Sequence, residues 1–179
     1  RGEPGTKGAE KLKDAALERA EDLLSQKNLR ELIDAGKFED LHQMIFEIFT
    51  STKSTTQKAE ATRFKNMPEN VRETFAQSLY ELLYGERTYP IRFDSLVAAL
   101  DIEGGPTWPI ATLLPALVYP ADHVFVKPTF FKKQALILDI DPRYDTTPNA
   151  TTYEAFNEAA KKTMELLQQA GQRPRDLWD

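Results

Sequence analysis

The sequence predicts a mainly α protein, a single compact domain of about eight helices, and three observations lead there. Apolar residues recur at steps of three and four along most of the chain, proline and glycine punctuate those runs at helix ends, and no alternation of strand and helix patterns is present. At 179 residues with 41% hydrophobic content, the chain is long enough for one ordinary core.

The opening residues 1–8, "RGEPGTKG", read as a flexible leader, and residues 9–179 as the helical domain. From Ala9, the positions Leu12, Ala16, Ala20, Leu23 and Leu24 form one amphipathic stripe. Asn28 with Glu31 offers an N-cap and reciprocal acid for a short helix ending near Gly36. Phe38, Leu41, Ile45 and Ile48 supply the next stripe. The run Ser51 to Lys65 is rich in Ser and Thr and reads as a loop or a weakly anchored helix. Asn66, Pro68 and Glu69 open a helix buried through Val71, Phe75, Leu79, Leu82 and Leu83, which Gly85 ends.

Phe93, Leu96, Val97 and Leu100 bury the following helix, closed by the turn "EGGP". "TWPIATLLPALVYP" is apolar all round, a core segment with Thr107 as N-cap, and its internal Pro115 is expected to kink or end it. Residues 123–126, "HVFV", are expected to form one very short strand, and "PTFFKKQALIL" to resume as helix. Thr151 and Glu154 suggest a capping box for a last helix with Tyr153, Phe156, Ala160, Met164 and Leu167 inward. The final "RPRDLWD" looks like the start of a further helix, so the chain is expected to be an excerpt from a longer one.

Composition narrows function mainly by exclusion. The net charge of -5 argues against wholesale wrapping of nucleic acid, and the absence of cysteine removes disulfides, thiolate zinc sites and a cysteine nucleophile. No secretory signal pattern opens the sequence, and its longest apolar run, Pro109 to Ala121, is 13 residues with three prolines, short of a bilayer span. A cytoplasmic location is expected. No dinucleotide, P-loop or nucleophile-elbow motif occurs, so no cofactor is expected. Asp139, Asp141 and Asp145 mimic a cation loop, but Pro142 and Arg143 intrude and the glycine and glutamate of an EF-hand frame are missing, so Asp139 and Asp141 read as turn caps or as partners of Arg143 and neighbouring lysines, and no metal is expected.

His42 reads as a structural or simply exposed residue. His123, following Asp122, is the one weak catalytic candidate, as a general base in a hydrolase or transferase. Two local basic segments stand out from the acidic background. Lys53, Lys58, Arg63 and Lys65 face only Glu60, and Lys127, Lys132 and Lys133 face only Asp122. Lysines with Ser and Thr hydroxyls or a helix N-terminus are groups that contact phosphates, so both segments are candidate anion or nucleic-acid contacts. Adjacent helical residues point in different directions, so at most one of Phe130 and Phe131 is expected to be exposed.

The stretch "TWPIATLLPALVYPADHVFVKPTFFKKQA", followed by "TTYEAFNEAAKKTMELL" and "PRDLWD", resembles a run in an uncharacterised bacterial protein family of unknown activity. The resemblance covers roughly the C-terminal 70 residues and implies no activity, only that the chain continues. The leading expectation is a non-catalytic helical binding or regulatory domain that acts through a protein partner or the rest of a longer polypeptide. The alternative is a nucleic-acid-associated module using the basic segments, and the third is an enzyme using His123. No membrane partner is expected.

Overall fold

The computed structural model describes residues 14, 17–51 and 58–177. The expected leader at 1–8, the helix start at Ala9 and Lys53 lie outside the described residues. Among those described, the chain forms nine helices and no strand. They are α1 (described over 17–23), α2 (Gln26–Asp34), α3 (Phe38–Ser51), α4 (Lys58–Lys65), α5 (Glu69–Tyr84), α6 (Tyr89–Ala99), α7 (Trp108–Val118), α8 (Pro128–Ile137) and α9 (Ala150–Gln169).

Helix α5 is the hub, packing against α2, α3, α6 and α7. Helix α6 carries the fold on to α9, α9 carries α8, and α4 bridges α3 and α7. The predicted stripes are the ones buried: Leu41, Ile45 and Ile48 of α3, Phe75, Leu79, Leu82 and Leu83 of α5, Phe93 and Leu96 of α6, and Tyr153 and Phe156 of α9. Aromatic rings organise two parts of this core. Phe64 meets Phe49 and Phe75 edge-on near the N-terminal helices, while Phe93, Trp108, Tyr153 and Phe156 stack or meet edge-on between α6, α7 and α9.

Helix α7 is buried at Trp108 and at every position from Ile110 to Leu117, as its all-round apolar sequence requires. Pro115 does not end it. The helix runs on to Val118, and Tyr119 N–H closes the last turn on the Pro115 carbonyl at 2.9 Å. One proline costs one ladder hydrogen bond, which complete burial of the surrounding apolar side chains outweighs.

The caps differ from the sequence expectation in three places. Ser25, rather than Asn28, caps α2, accepting from Asn28 N–H, while Asn28 turns its amide back to the Leu23 carbonyl at 2.6 Å. Pro68 occupies the N-cap of α5, with no side-chain cap from Asn66. The cap of α9 is Asn149, which accepts from Thr152 N–H at 2.9 Å, so the pattern of Thr151 and Glu154 lies inside the first turn. At α2 and α9 a polar residue two or three positions upstream satisfied the same orphan amides first.

The strand expected at 123–126 does not form, and no strand is found among the described residues. A side chain takes the place of a strand partner: the fully buried Thr112 hydroxyl of α7 accepts from Val126 N–H at 2.9 Å and donates to the Trp108 carbonyl at 2.6 Å. Val124, Phe125 and Val126 are thereby buried against α7, and the chain is delivered to the start of α8.

Candidate functional site

The outer face of α8 is the most exposed apolar surface among the described residues. Pro128 sits in the first turn, where its missing N–H costs nothing, and Phe130 and Phe131 N–H both close on the Lys127 carbonyl. The inward face is thin: Ala135 is buried, Phe131 meets the Phe156 ring at 5.4 Å, and Gln134 Nε2 donates to Thr163 Oγ1 at 2.6 Å. The outward face carries Phe130, Leu136 and Ile137, exposed by 76%, 80% and 82%. Phe130 and Ile137 are seven residues apart and share one side of the helix, as the helical period dictates.

The C-terminal part of α9 also carries exposed apolar residues. Its buried stripe runs through Thr152, Tyr153, Phe156, Ala159 and Ala160; of the residues expected to continue inward, Met164 is half-buried and Leu167 is 38% exposed, with Leu166 beside it 48% exposed. Lys162 Nζ reaches the Leu138 carbonyl at 3.4 Å, which places the C-terminal end of α8 beside this part of α9.

The predicted cations are arranged unequally. Lys127, Lys132 and Lys133 all sit on α8 or its N-cap and are all exposed. Lys127 lies over the Phe125 ring and Lys132 over the Tyr144 ring, with ammonium-to-centroid distances of 5.7 and 4.3 Å. Arg63 and Lys65 belong to α4, packed on α3 and α7 rather than on α9. Lys65 extends over the Phe46 ring. The Arg63 guanidinium lies against Gly104, so close that a Cβ there would come within 3.1 Å of it. Lys58 begins α4. The two basic segments therefore belong to different packing pairs, and sequence spacing carries no information on that.

The histidines occupy contrasting settings. His42 is buried, stacks on Phe64, and its Nε2 lies 2.8 Å from the Phe64 carbonyl. A carbonyl can only accept, so Nε2 carries the proton and donates. Burial lowers the His42 pKa, only partly opposed by that hydrogen bond.

His123 lies inside a tyrosine cluster. It stacks on Tyr89 at 4.2 Å, meets Tyr119 edge-on, and its Nδ1 lies 3.1 Å from Tyr153 Oη. Burial pushes its pKa down to about 4, with Asp122 opposing and Lys161 and Arg92 reinforcing. A tyrosine hydroxyl, rather than a carboxylate, occupies the place where an orienting acid would stand. Burial likewise pushes the Tyr153 and Tyr89 hydroxyls up, and each stays protonated at neutral pH. The Tyr89 and Tyr153 rings stack 5.8 Å apart, yet hydrogen-bond geometry is not met at Tyr89 Oη.

Nearby, Arg92 Nη1 donates to the Glu81 and Leu82 carbonyls and Tyr119 Oη to the Leu83 carbonyl. These donors satisfy the C-terminal carbonyls of α5 and set a positive charge at the negative end of its dipole. Neither Tyr89, Arg92 nor Tyr153 was singled out in the sequence as a neighbour of His123, since their separations of about thirty residues leave no local signal.

Asp141 accepts from Arg143 N–H at 2.9 Å, the turn-capping role expected of it, and Asp145 caps a second turn by accepting from Thr147 N–H at 2.8 Å. Among the described residues no group of three or more His, Asp or Glu side chains is placed to hold a metal ion. None of the described helices is long and apolar enough to cross a membrane. Compared with known proteins, the chain matches no family model, no curated protein and no solved structure.

Proposed function

We propose that this chain is a non-catalytic helical docking domain that engages a protein partner through the outer face of α8 and the adjoining end of α9. The observation that supports the reading is the exposure of Phe130, Leu136 and Ile137 together on one short helix, with Leu166 and Leu167 also exposed on the helix it packs against. Single exposed aliphatics are ordinary on a protein surface, whereas adjacent large ones mark interaction sites. The His123 environment adds support from the other side, because a stacked imidazole with its pKa near 4 is a poor base at neutral pH. The sequence resemblance supports a bacterial protein or complex as the setting.

Site-specific photo-crosslinking in cells tests this. A photoreactive residue at position 130 or 137 is expected to capture a discrete partner, and the same residue at the exposed Asn70 of α5 is not. Identical crosslinking at all three positions would refute the assignment.

A second reading draws on one feature, the run from His123 to Leu138, which holds Lys127, Lys132 and Lys133 and no carboxylate. Here α8 would contact nucleic-acid phosphates. Fluorescence anisotropy with labelled DNA and RNA decides it: binding should fall steeply with salt and vanish in the Lys127→Glu/Lys132→Glu/Lys133→Glu variant.

A further inference from the structure

We infer that the segment received by the α8 face is an acidic amphipathic helix, an inference that rests on the docking reading above. Three features of the face argue for it. The first is charge: between His123 and Leu138 the cations are Lys127, Lys132 and Lys133 and there is no acid, in a chain whose net charge is -5. Such a local reversal favours a partner of opposite sign.

The second is spacing. Phe130, Lys133 and Ile137 follow one another at steps of three and four on the exposed side of α8, with Leu136 exposed on the flank three positions beyond Lys133, so a cationic group stands between apolar ones along that side. A partner helix with apolar anchors at the same steps and carboxylates beside them would match it.

The third is what surrounds the face. Asp139, Asp141 and Asp145 follow the end of α8, and Glu158 and Glu165 project from α9, all exposed. A helix docked along α8 alone sets its carboxylates by Lys127, Lys132 and Lys133, whereas a lipid surface or a nucleic-acid duplex, reaching past α8, would also meet Asp139 just beyond its end. A second copy of this chain fits poorly for a simpler reason. Two-fold pairing of α8 with itself would set Lys132 and Lys133 against their own copies.

The test is a display selection on the whole chain with random peptides of about four helical turns, counter-selected on the Leu136→Asp/Ile137→Asp double variant. Both substituted side chains point to solvent, and the thermal midpoint of the variant is expected to match that of the parent. Enriched peptides should carry an excess of Asp and Glu between apolar residues at steps of three and four. A representative peptide should lose roughly tenfold or more in affinity on the Lys132→Glu/Lys133→Glu variant and weaken as salt rises. Enrichment of neutral or basic peptides would overturn the acidic chemistry and leave the docking reading standing. No enrichment beyond the counter-selected variant would overturn the docking reading itself. Self-association, or binding of phosphatidylserine vesicles or RNA, that the double variant loses would give the face a different occupant and overturn the inference.

Discussion

Replacing Thr112 by valine isolates the one side-chain hydroxyl that joins α7 to the segment leading into α8. The two side chains have nearly the same shape, so no cavity is created and the change is chemical. In the parent, Thr112 Oγ1 is fully buried, accepts from Val126 N–H at 2.9 Å and donates to the Trp108 carbonyl at 2.6 Å. The Trp108 carbonyl keeps its helical ladder bond. Val126 N–H, with Val126 itself fully buried, is left with no acceptor. An orphaned buried donor costs about 1–3 kcal/mol, and the extra methyl returns up to about 0.8 kcal/mol, so the net loss should be about 1–2 kcal/mol. Thr112→Ser keeps the hydroxyl and loses a methyl, at roughly 1 kcal/mol. Urea unfolding alone separates these two poorly, and amide hydrogen exchange separates them well. Val126 N–H should remain protected in the parent and in Thr112→Ser and exchange much faster in Thr112→Val. Equal protection in all three, with no loss of stability in Thr112→Val, would show that the hydroxyl does not hold this segment.

Other expectations follow from the same structure. Gly85→Ala places a Cβ 2.5 Å from the Glu81 carbonyl oxygen, an overlap that only backbone movement relieves, and should cost about 1–3 kcal/mol, a fall of several degrees in Tm. Asp94→Ala removes the carboxylate oxygen that accepts from Ala150 N–H at 2.8 Å at the start of α9, and should cost about 1 kcal/mol by urea unfolding. His123 has its folded pKa depressed from 6.5 to about 4, so the unfolded chain takes up the proton first as pH falls. Its contribution to stability is therefore complete above pH 6.5 and is lost as pH falls toward 4; at roughly 1.4 kcal/mol per pH unit the loss is bounded near 3 kcal/mol. Urea midpoints of His123→Phe should vary less with pH across that window than those of the parent, and equal slopes would refute the assignment.

How much of this was legible beforehand divides along physical lines. Helix positions were readable because burial enforces the helical period: Phe75, Leu79 and Leu83, or Tyr153 and Phe156, sit where the stripe put them. Caps were less readable, since Ser25 competes with Asn28, and Asn149 with Thr151, for the same amides, and only backbone geometry decides between them. The short strand at 123–126 was misjudged because β-branched and aromatic residues signal an extended chain, and the signal does not say whether the partner is a strand or a threonine hydroxyl. The basic character of 127–133 was visible, but its apolar half was not. "PTFFKKQALIL" is apolar on both sides of the helix, so no periodicity distinguishes the face that packs from the face that does not.

That two-sided composition is the strongest link between this fold and a docking role. A helix that only needed to close the fold would require one apolar stripe, and the inward side of α8 supplies Phe131, Ala135 and Gln134. Its packing in the fold rests mainly on α9, and it is held at its start by the Val126 amide on Thr112 and at its end by Lys162 on the Leu138 carbonyl. The outer residues Phe130, Leu136 and Ile137 contribute little to that anchoring, since so much of each lies in water. Replacing them should therefore leave stability nearly unchanged while abolishing partner binding, whereas replacing Phe131 or Thr112 should do the reverse: destabilise the fold first and weaken binding only as α8 loosens. Measuring both quantities on both sets of variants separates a surface kept for recognition from one that is merely left over by packing.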